Sequence, residues 1–439
     1  MINRRSMLKL WAAGAAGAAL TEASCSEVLQ NVNTRSRPSE LKITDLRVAT
    51  IRNISLVRID TNQGISGYGE TYTASSKTYP LFLKSRILGQ NPCDVDLLFR
   101  KLKQFGGHGR QASGVTSIEM ALWDLAGKSY GAPVYRMLGG KFRNQVRIYA
   151  DTPSVREPEA FAARLKQRLD AGFTWLKMDV GLELVQRTPG TVMRPLGATQ
   201  NYWSEFGHMG GWELTDKGIA MMAEYVARVR EAVGYEVPIS ADHFGHIGPN
   251  SCIRLGIALE KYNLAWLEDM VPWMHMDVLR KISNAVHTPL ATGEDIYLKE
   301  PFIELCRKKA VDIIHPDLSC AGGIFETKKI GDAAQELGVP MAIHCGATPV
   351  GFLAAVHCAA ATENFLALEH HHIDDPWWED VVTGIPKPIV DKGFVNVPET
   401  PGLGVELNEE AIKKLLVEPG YFAPTPEWDK ERSSDRQWS

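Results

Sequence analysis

The 439-residue chain carries no surplus of cations: 48 Lys and Arg stand against 52 Asp and Glu, for a formal net charge of −4. A surface that tracks a phosphate backbone needs excess positive charge, so nucleic acid is excluded as the expected partner. The Ala-rich apolar stretch Leu10–Leu20 is well short of the ~20 residues that a membrane-spanning helix requires. The seven cysteines (Cys25, Cys93, Cys252, Cys306, Cys320, Cys345 and Cys358) form neither a Cys-x-x-Cys pair nor a short framework. That spacing favours buried thiols over disulfides. Glycine (38) and proline (24) are at ordinary globular levels, which excludes a collagenous, coiled-coil or wholly disordered chain. What remains is a large globular protein: one α/β barrel plus a smaller domain fits the length.

Residues Met1–Ser26 read as a targeting segment, with Arg4 and Arg5 adjacent, then the Ala-rich stretch, then small residues. The run NRRSMLK resembles a twin-arginine export signal, which implies the twin-arginine export machinery as a partner and a periplasmic destination. Thr21-Glu22-Ala23 is a loose cleavage site. Glu22 stands where a lipoprotein box has leucine, so release is preferred over lipid anchoring at Cys25. That route carries folded passengers, so a metal could be loaded before export. Residues 27–41 read as a linker.

From Lys42 to Glu70 the pattern alternates as strands do, with a Gly-containing turn in DTNQGISGYGE. Between Lys77 and Gly140 it turns helical; Ile118, Ala121, Leu122, Leu125 and Ala126 share one face. Residues 42–145 are therefore expected to form an α+β unit. After Val146 eight β-type runs recur with helical stretches between most of them: 147–151, 174–179, 237–242, 264–269, 289–295, 311–317, 339–345 and 365–370. This beat predicts a TIM-like (β/α)8 barrel over residues 146–385, its strand C-termini forming the active-site mouth. A doubly wound sheet is the poorer fit, because no Gly-rich phosphate loop follows the first strand. About 35 extra residues around 191–212 lie between the second and third strands. They read either as a lid over the mouth or as an oligomer contact.

Asp242, Glu268 and Glu294 end three consecutive units at intervals of 26 residues, which points all three into one mouth. Three clustered carboxylates repel one another unless a cation joins them, and all-oxygen ligation selects Mg²⁺ first and Mn²⁺ next. One unit apart again, Asp317 and His344 suit a dyad in which the aspartate fixes the imidazole tautomer of a general base. Glu369 ends the eighth strand and, if protonated, could donate to a developing oxyanion. Lys177 and Asp179 end the second strand; alternation should turn both inward, which makes Lys177 a second acid/base candidate. A carboxylate substrate held between Lys177 and His344 would present its α-carbon to a base on either face.

These residues resemble the enolase superfamily, and within it the mandelate racemase and muconate lactonizing enzyme group. LED at Leu267–Asp269, ATGED at Ala291–Asp295 and HPDLSCAGGI at His315–Ile324 carry the likeness most specifically. TNQGISGYGE is similar to the group's capping-domain hairpin, ALWDLAGKSYGAPVYRMLGG to its lead into the barrel, and PGLGVELNEE to the return of the C-terminal region, here 386–439, to the cap. The resemblance implies Mg²⁺ on Asp242, Glu268 and Glu294, a His344–Asp317 dyad, and Lys177 as the first lysine of a Lys-x-Lys motif. Asp179 replaces the second lysine, which argues against two-base racemization and for one-sided chemistry, as in the acid-sugar dehydratases. Several of those dehydratases carry a histidine where this chain has Phe244; His243 and His246 flank it, with His243 a candidate leaving-group acid. His370, His371 and His372 read as solvent-facing or pocket-lining, and Trp377 and Trp378 as packing residues. The expected activity is removal of water from an aldonate or aldarate. Epimerization or cycloisomerization of a related acid is the alternative, and non-catalytic sugar-acid binding is another. A symmetric homo-oligomer suits a cap-and-barrel enzyme of this size.

Overall fold

The computed structural model describes residues 37–431 apart from 108, 195–196, 198–210, 243 and 245. Three strands, β1 (Ile43–Ile51), β2 (Ile54–Thr61) and β3 (Ser66–Glu70), form an antiparallel meander. The expected hairpin sets Ile59 opposite Gly67 and Arg58 opposite Tyr68. Helices Thr78–Ile87 and Ser113–Tyr130 pack against this sheet, and Val95–Leu102 packs against both helices. Ile118, Ala121, Leu122, Leu125 and Ala126 line one side of the last helix and are buried with Leu46, Val57 and Ile59 in the cap core. Helix and strand meet without clearance. A Cβ on Gly69 would lie 2.0 Å from the Ser117 carbonyl oxygen, so only glycine admits the contact.

The βα beat begins at β4 (Gln145–Ala150) and continues with β5 (Leu176–Asp179). A short hairpin of β6 (Val192–Met193) and β7 (Glu213–Leu214) intervenes. Then come β8 (Ile239–Asp242), β9 (Leu267–Glu268), β10 (Leu290–Thr292), β11 (Ile313–Ile314), β12 (Met341–Ile343) and β13 (Phe365–His370). Strands β4, β5 and β8 to β13 pair in that order and β13 pairs back to β4, closing an eight-stranded parallel barrel. Seven of the eight β-type runs contain their strand whole, and β4 begins two residues before its run. Several strands are shorter than their runs because the regular ladder stops before the polar residue at the end, although Asp317 still makes a single parallel bridge to His344. Asp269 takes φ 48°, and Asp317 is the N-cap of the short helix Leu318–Ala321. Tyr149, Trp266, Ala291, Ile313, Ala342 and Ala367, one from each of six barrel strands or its edge, pack together as a separate apolar core inside the barrel.

The extra length after β5 is tied to the loop after β8, where the Gly248 N–H donates to the Trp212 carbonyl at 3.1 Å. Its tip, to which the lid and oligomer readings apply, lies outside the described residues, as does the segment with Arg4, Arg5 and Cys25 that reads as an export signal. The six other cysteines are free thiols. Among the described residues no helix is long and apolar enough to cross a membrane.

Beyond the barrel, β14 (Val382–Thr383) pairs with β16 (Glu406–Leu407), and β15 (Phe394–Asn396) adds antiparallel to β4. The chain then reaches the cap. Arg47 Nη1 donates to the Phe422 carbonyl at 3.3 Å, and buried Lys84 pairs with Asp45 at 2.6 Å and Asp429 at 2.7 Å.

Helix Ser113–Tyr130 also fastens the cap to the barrel. Glu119 accepts from the Ile324 and Phe325 N–H groups at 2.7 and 2.9 Å, at the start of the helix Ile324–Glu336, and from Trp123 Nε1 at 2.7 Å. Burial outweighs these donors and pushes its carboxyl up to about 8. The folded protein therefore binds this proton more tightly than the unfolded chain, whose ordinary value is 4.5. The stabilisation is complete below about 4.5 and is lost as pH rises through about 8. We expect the melting temperature to fall across that window, and Glu119→Gln to flatten the fall when melts are recorded from pH 4.5 to pH 8.5.

Candidate active site

Asp242 and Glu268 are the last residues of their strands. Glu294 lies two residues beyond β10, past Gly293 at φ 149°, where a Cβ would strike Phe302 at 2.6 Å. That turn brings the third carboxylate to the first two. One oxygen from each of the three lies within 4.8 Å of the others. Neighbouring side chains hold Glu268: Trp266 Nε1 donates to Oε2 at 2.9 Å, and His315 Nδ1 lies 2.6 Å from Oε1.

Burial and mutual repulsion dominate the electrostatics of this group, only partly offset by the cations beside it. Burial, with the charges of Asp242 and Glu268, pushes the Glu294 carboxyl up despite His344. Burial and Glu294, Asp242 and Glu268 likewise push adjacent Asp269 well above the carboxylate range. Glu268 Oε1 is fully buried and accepts no hydrogen bond of normal geometry. An all-oxygen, mutually repelling set, two of its three residues buried and one with an orphan acceptor, fits a hard divalent cation, and these three residues could hold Mg²⁺.

Lys177 enters the same cluster. Its Nζ is 2.8 Å from Asp242 Oδ2, 2.8 Å from Glu369 Oε1 and 3.6 Å from Glu268 Oε1. Burial opposes its charge, yet Asp242, Glu268 and Glu369 together hold the ammonium well above the ordinary lysine range. Across the mouth, His344 Nδ1 meets Asp317 Oδ2 at 2.7 Å, while Asp317 Oδ1 accepts from the Ser319 N–H at 2.6 Å. The dyad is thus fixed at Nδ1 and presents Nε2, which lies 3.3 Å from Glu294 Oε2 and 3.8 Å from Glu369 Oε2. Burial works against charging this imidazole, but Glu294, Glu369 and Asp317 raise its affinity for a proton.

The structure departs from the sequence reading in several places. Glu369 could donate to an oxyanion only if protonated; despite burial, Lys177, His371 and His344 hold its carboxyl well below the usual carboxylate range. Its Oε1 faces Lys177 Nζ at 2.8 Å, and its Oε2 lies 3.8 Å from His344 Nε2. Asp179 ends β5 opposite Asp242, and its charge reaches the Tyr225 hydroxyl on the outer helix Asp216–Val233. His243 lies outside the described residues, and His246 is buried. Of the three consecutive histidines, His370 packs against Phe352 and Trp378, His372 meets Asp375 at 2.7 Å, and His371 turns to Glu369, with Nε2 3.2 Å from Oε1. Trp378 is buried and donates to the Ala347 carbonyl at 2.9 Å; Trp377 packs against the same core.

Sequence reasoning also missed His315, whose Nε2 is 2.5 Å from the Tyr149 hydroxyl, and the cap residues Tyr72 and Arg110. Tyr72 stacks on His344 with ring centroids 6.3 Å apart, and the Arg110 guanidinium lies 5.3 Å from the Tyr72 centroid. His315 sits two residues before Asp317, so strand alternation could have found it. Tyr72 lies on an irregular segment and Arg110 on the one-turn 3₁₀ helix Gly109–Ala112, neither with such a signal.

Residues 25–139 match the model of the mandelate racemase / muconate lactonizing enzyme N-terminal domain, and residues 160–411 match the enolase C-terminal domain-like model. The chain is 34% identical over 408 residues to a D-xylonate dehydratase of Haloferax volcanii, covering 90% of this chain and 93% of that protein. It is 27% identical to a D-galactonate dehydratase of Verminephrobacter eiseniae, over 91% of this chain and 100% of the other. Among solved structures, a mandelate racemase/muconate lactonizing enzyme-like protein from Rubrobacter xylanophilus superposes with a TM-score of 0.78 at 34% identity, over 87% of this chain and 99% of that one. The 3,6-anhydro-D-galactonate cycloisomerase from Zobellia galactanivorans gives 0.72 at 26% identity, over 86% and 100%.

Proposed function

Because the chain belongs to the mandelate racemase / muconate lactonizing enzyme group of the enolase superfamily, we propose that it is a Mg²⁺-dependent hydro-lyase that dehydrates a sugar acid, an aldonate or aldarate, to its 2-keto-3-deoxy acid. The observation that carries this reading is one mouth in which the three carboxylates lie within 4.8 Å of one another beside a His344–Asp317 dyad and a buried Lys177. Bound on Asp242, Glu268 and Glu294, Mg²⁺ would supply Lewis-acid stabilisation of charge on the substrate carboxylate.

The protein's own groups do the rest. His344 takes the α-proton at Nε2, since Nδ1 is committed to Asp317. Electrons from the C–H bond pass into an enediolate, whose charge the Lys177 ammonium stabilises from the other side of the mouth. The β-hydroxyl then leaves with a proton returned by His344, so one water is lost and the enol tautomerises to the ketone. The ionised Glu369 keeps Lys177 charged and near the reacting atoms. Tyr72, stacked on His344, shields one face of the imidazole from water. The twin-arginine reading of Arg4 and Arg5 supports periplasmic action.

Proton NMR in D₂O of the Mg²⁺-loaded protein without its leader, with pooled aldonates and aldarates, tests the proposal. Loss of an α-proton together with a new C3 methylene is the expected result. Exchange without a new product would favour epimerization, and Mg²⁺ binding with no exchange in any pool would favour a sugar-acid binding protein. The metal assignment has its own check. At about 100 times the dissociation constant, Mg²⁺ should add about 2.7 kcal/mol to the unfolding free energy, seen as a rise in melting temperature that EDTA reverses.

A further inference from the structure

Beside the all-oxygen set lies a second group of ligand atoms. His344, Glu369 and His371 each offer one atom within 4.8 Å of the others. His344 contributes Nε2, because Nδ1 is held by Asp317. The rings of His344 and His371 meet edge to face at 5.0 Å. Glu369 Oε2 and His371 Nε2 are both buried, and His371 Nε2 stands 3.2 Å from the other carboxylate oxygen, Oε1. Close by are Lys177 Nζ, 2.8 Å from Glu369 Oε1, and His315 Nε2, 3.8 Å from Oε2. His315 is already engaged by Tyr149.

We infer that His344, Glu369 and His371 form a second cation site, selective for a borderline transition-metal ion such as Zn²⁺, whose occupation silences the enzyme. Two imidazole nitrogens and one carboxylate oxygen are a ligand set that zinc prefers and magnesium does not. Asp317 on His344 Nδ1 is the outer-shell carboxylate that orients a ligating histidine and raises its basicity. The neighbouring Asp242–Glu268–Glu294 set keeps its preference for a hard ion, so the two sites sort cations by ligand chemistry. Zinc on His344 Nε2 takes the atom that carries the α-proton. That consequence rests on the proposed function, whereas the binding itself does not.

Equilibrium dialysis of the Mg²⁺-loaded protein against Zn²⁺ in excess Mg²⁺, followed by elemental analysis, gives the stoichiometry. One Zn²⁺ taken up per chain with Mg²⁺ retained is expected, with two imidazoles at zinc in its X-ray absorption spectrum. His371→Asn should weaken Zn²⁺ binding by about 100-fold, the upper range seen for disturbing even an outer-shell partner. One-for-one replacement of Mg²⁺, or unchanged zinc affinity in His371→Asn, would overturn the proposal. Glu294→Gln guards against misfolding of that variant: it should keep its zinc, and loss of zinc would locate the ion in the oxygen site instead. If zinc binds as expected while no sugar acid ever exchanges a proton, the functional reading fails and the site stands.

Discussion

Exchanging His344 for asparagine is expected to lower dehydration of the sugar acid by about 10²- to 10⁴-fold, the range general acid–base groups contribute, with Mg²⁺ affinity kept within a few-fold. The loss should fall on turnover more than on KM, because Nε2 acts on the α-proton and not on ground-state binding. Asparagine can still meet Asp317, so the dyad's hydrogen bond at 2.7 Å keeps a partner and the fold has little reason to change. The check is α-proton exchange in D₂O beside a calorimetric Mg²⁺ titration. Exchange at the wild-type rate in His344→Asn would transfer the base role to Lys177.

Lys177→Met should produce two effects of opposite sign. Its ammonium compensates Asp242 and Glu369 at 2.8 Å each, with Glu268 at 3.6 Å. Removing it leaves buried carboxylates unpaired, a change that costs about 3–5 kcal/mol in comparable buried pairs. The metal-free variant should therefore melt well below the wild type. With the competing cation gone, the same carboxylates should bind Mg²⁺ more tightly, and added Mg²⁺ should recover part of the lost stability. Turnover should fall by several orders of magnitude all the same, since the charge opposite His344 is missing. Denaturation with and without Mg²⁺, read with calorimetric affinity, separates these terms. Weaker Mg²⁺ binding in Lys177→Met would show that the lysine organises the carboxylates and does not compete for them.

The parts of this site that were legible in the sequence are those governed by regular geometry. Equal spacing placed Asp242, Glu268 and Glu294 together because successive βα units advance by one strand, and the same phase joined Asp317 to His344. Strand alternation explains Lys177 and could also have recovered His315 and His371, each two residues from a site carboxylate. It gives less at Asp179, the last residue of its strand, where the charge reaches an outer-layer tyrosine. The ionisation of Glu369 could not be read from its position, because it depends on the distance to Lys177, a residue 192 positions away. Tyr72 lies on an irregular segment and Arg110 on a single 3₁₀ turn, and only the docking of cap on barrel brings them toward His344.

The ion pairs of Lys84 carry a consequence for how the molecule is made. The cap is translated early, yet Arg47 and Lys84 take their partners from Phe422 and Asp429, and Arg86 pairs with Glu431 at 2.7 Å. Contacts bridging some 340 positions raise the contact order, and closure over such a span is a late event in folding. A nascent chain still lacking residues 422–431 holds a buried lysine with only Asp45 to answer it. The cap is therefore synthesised ahead of the barrel yet sealed only after it.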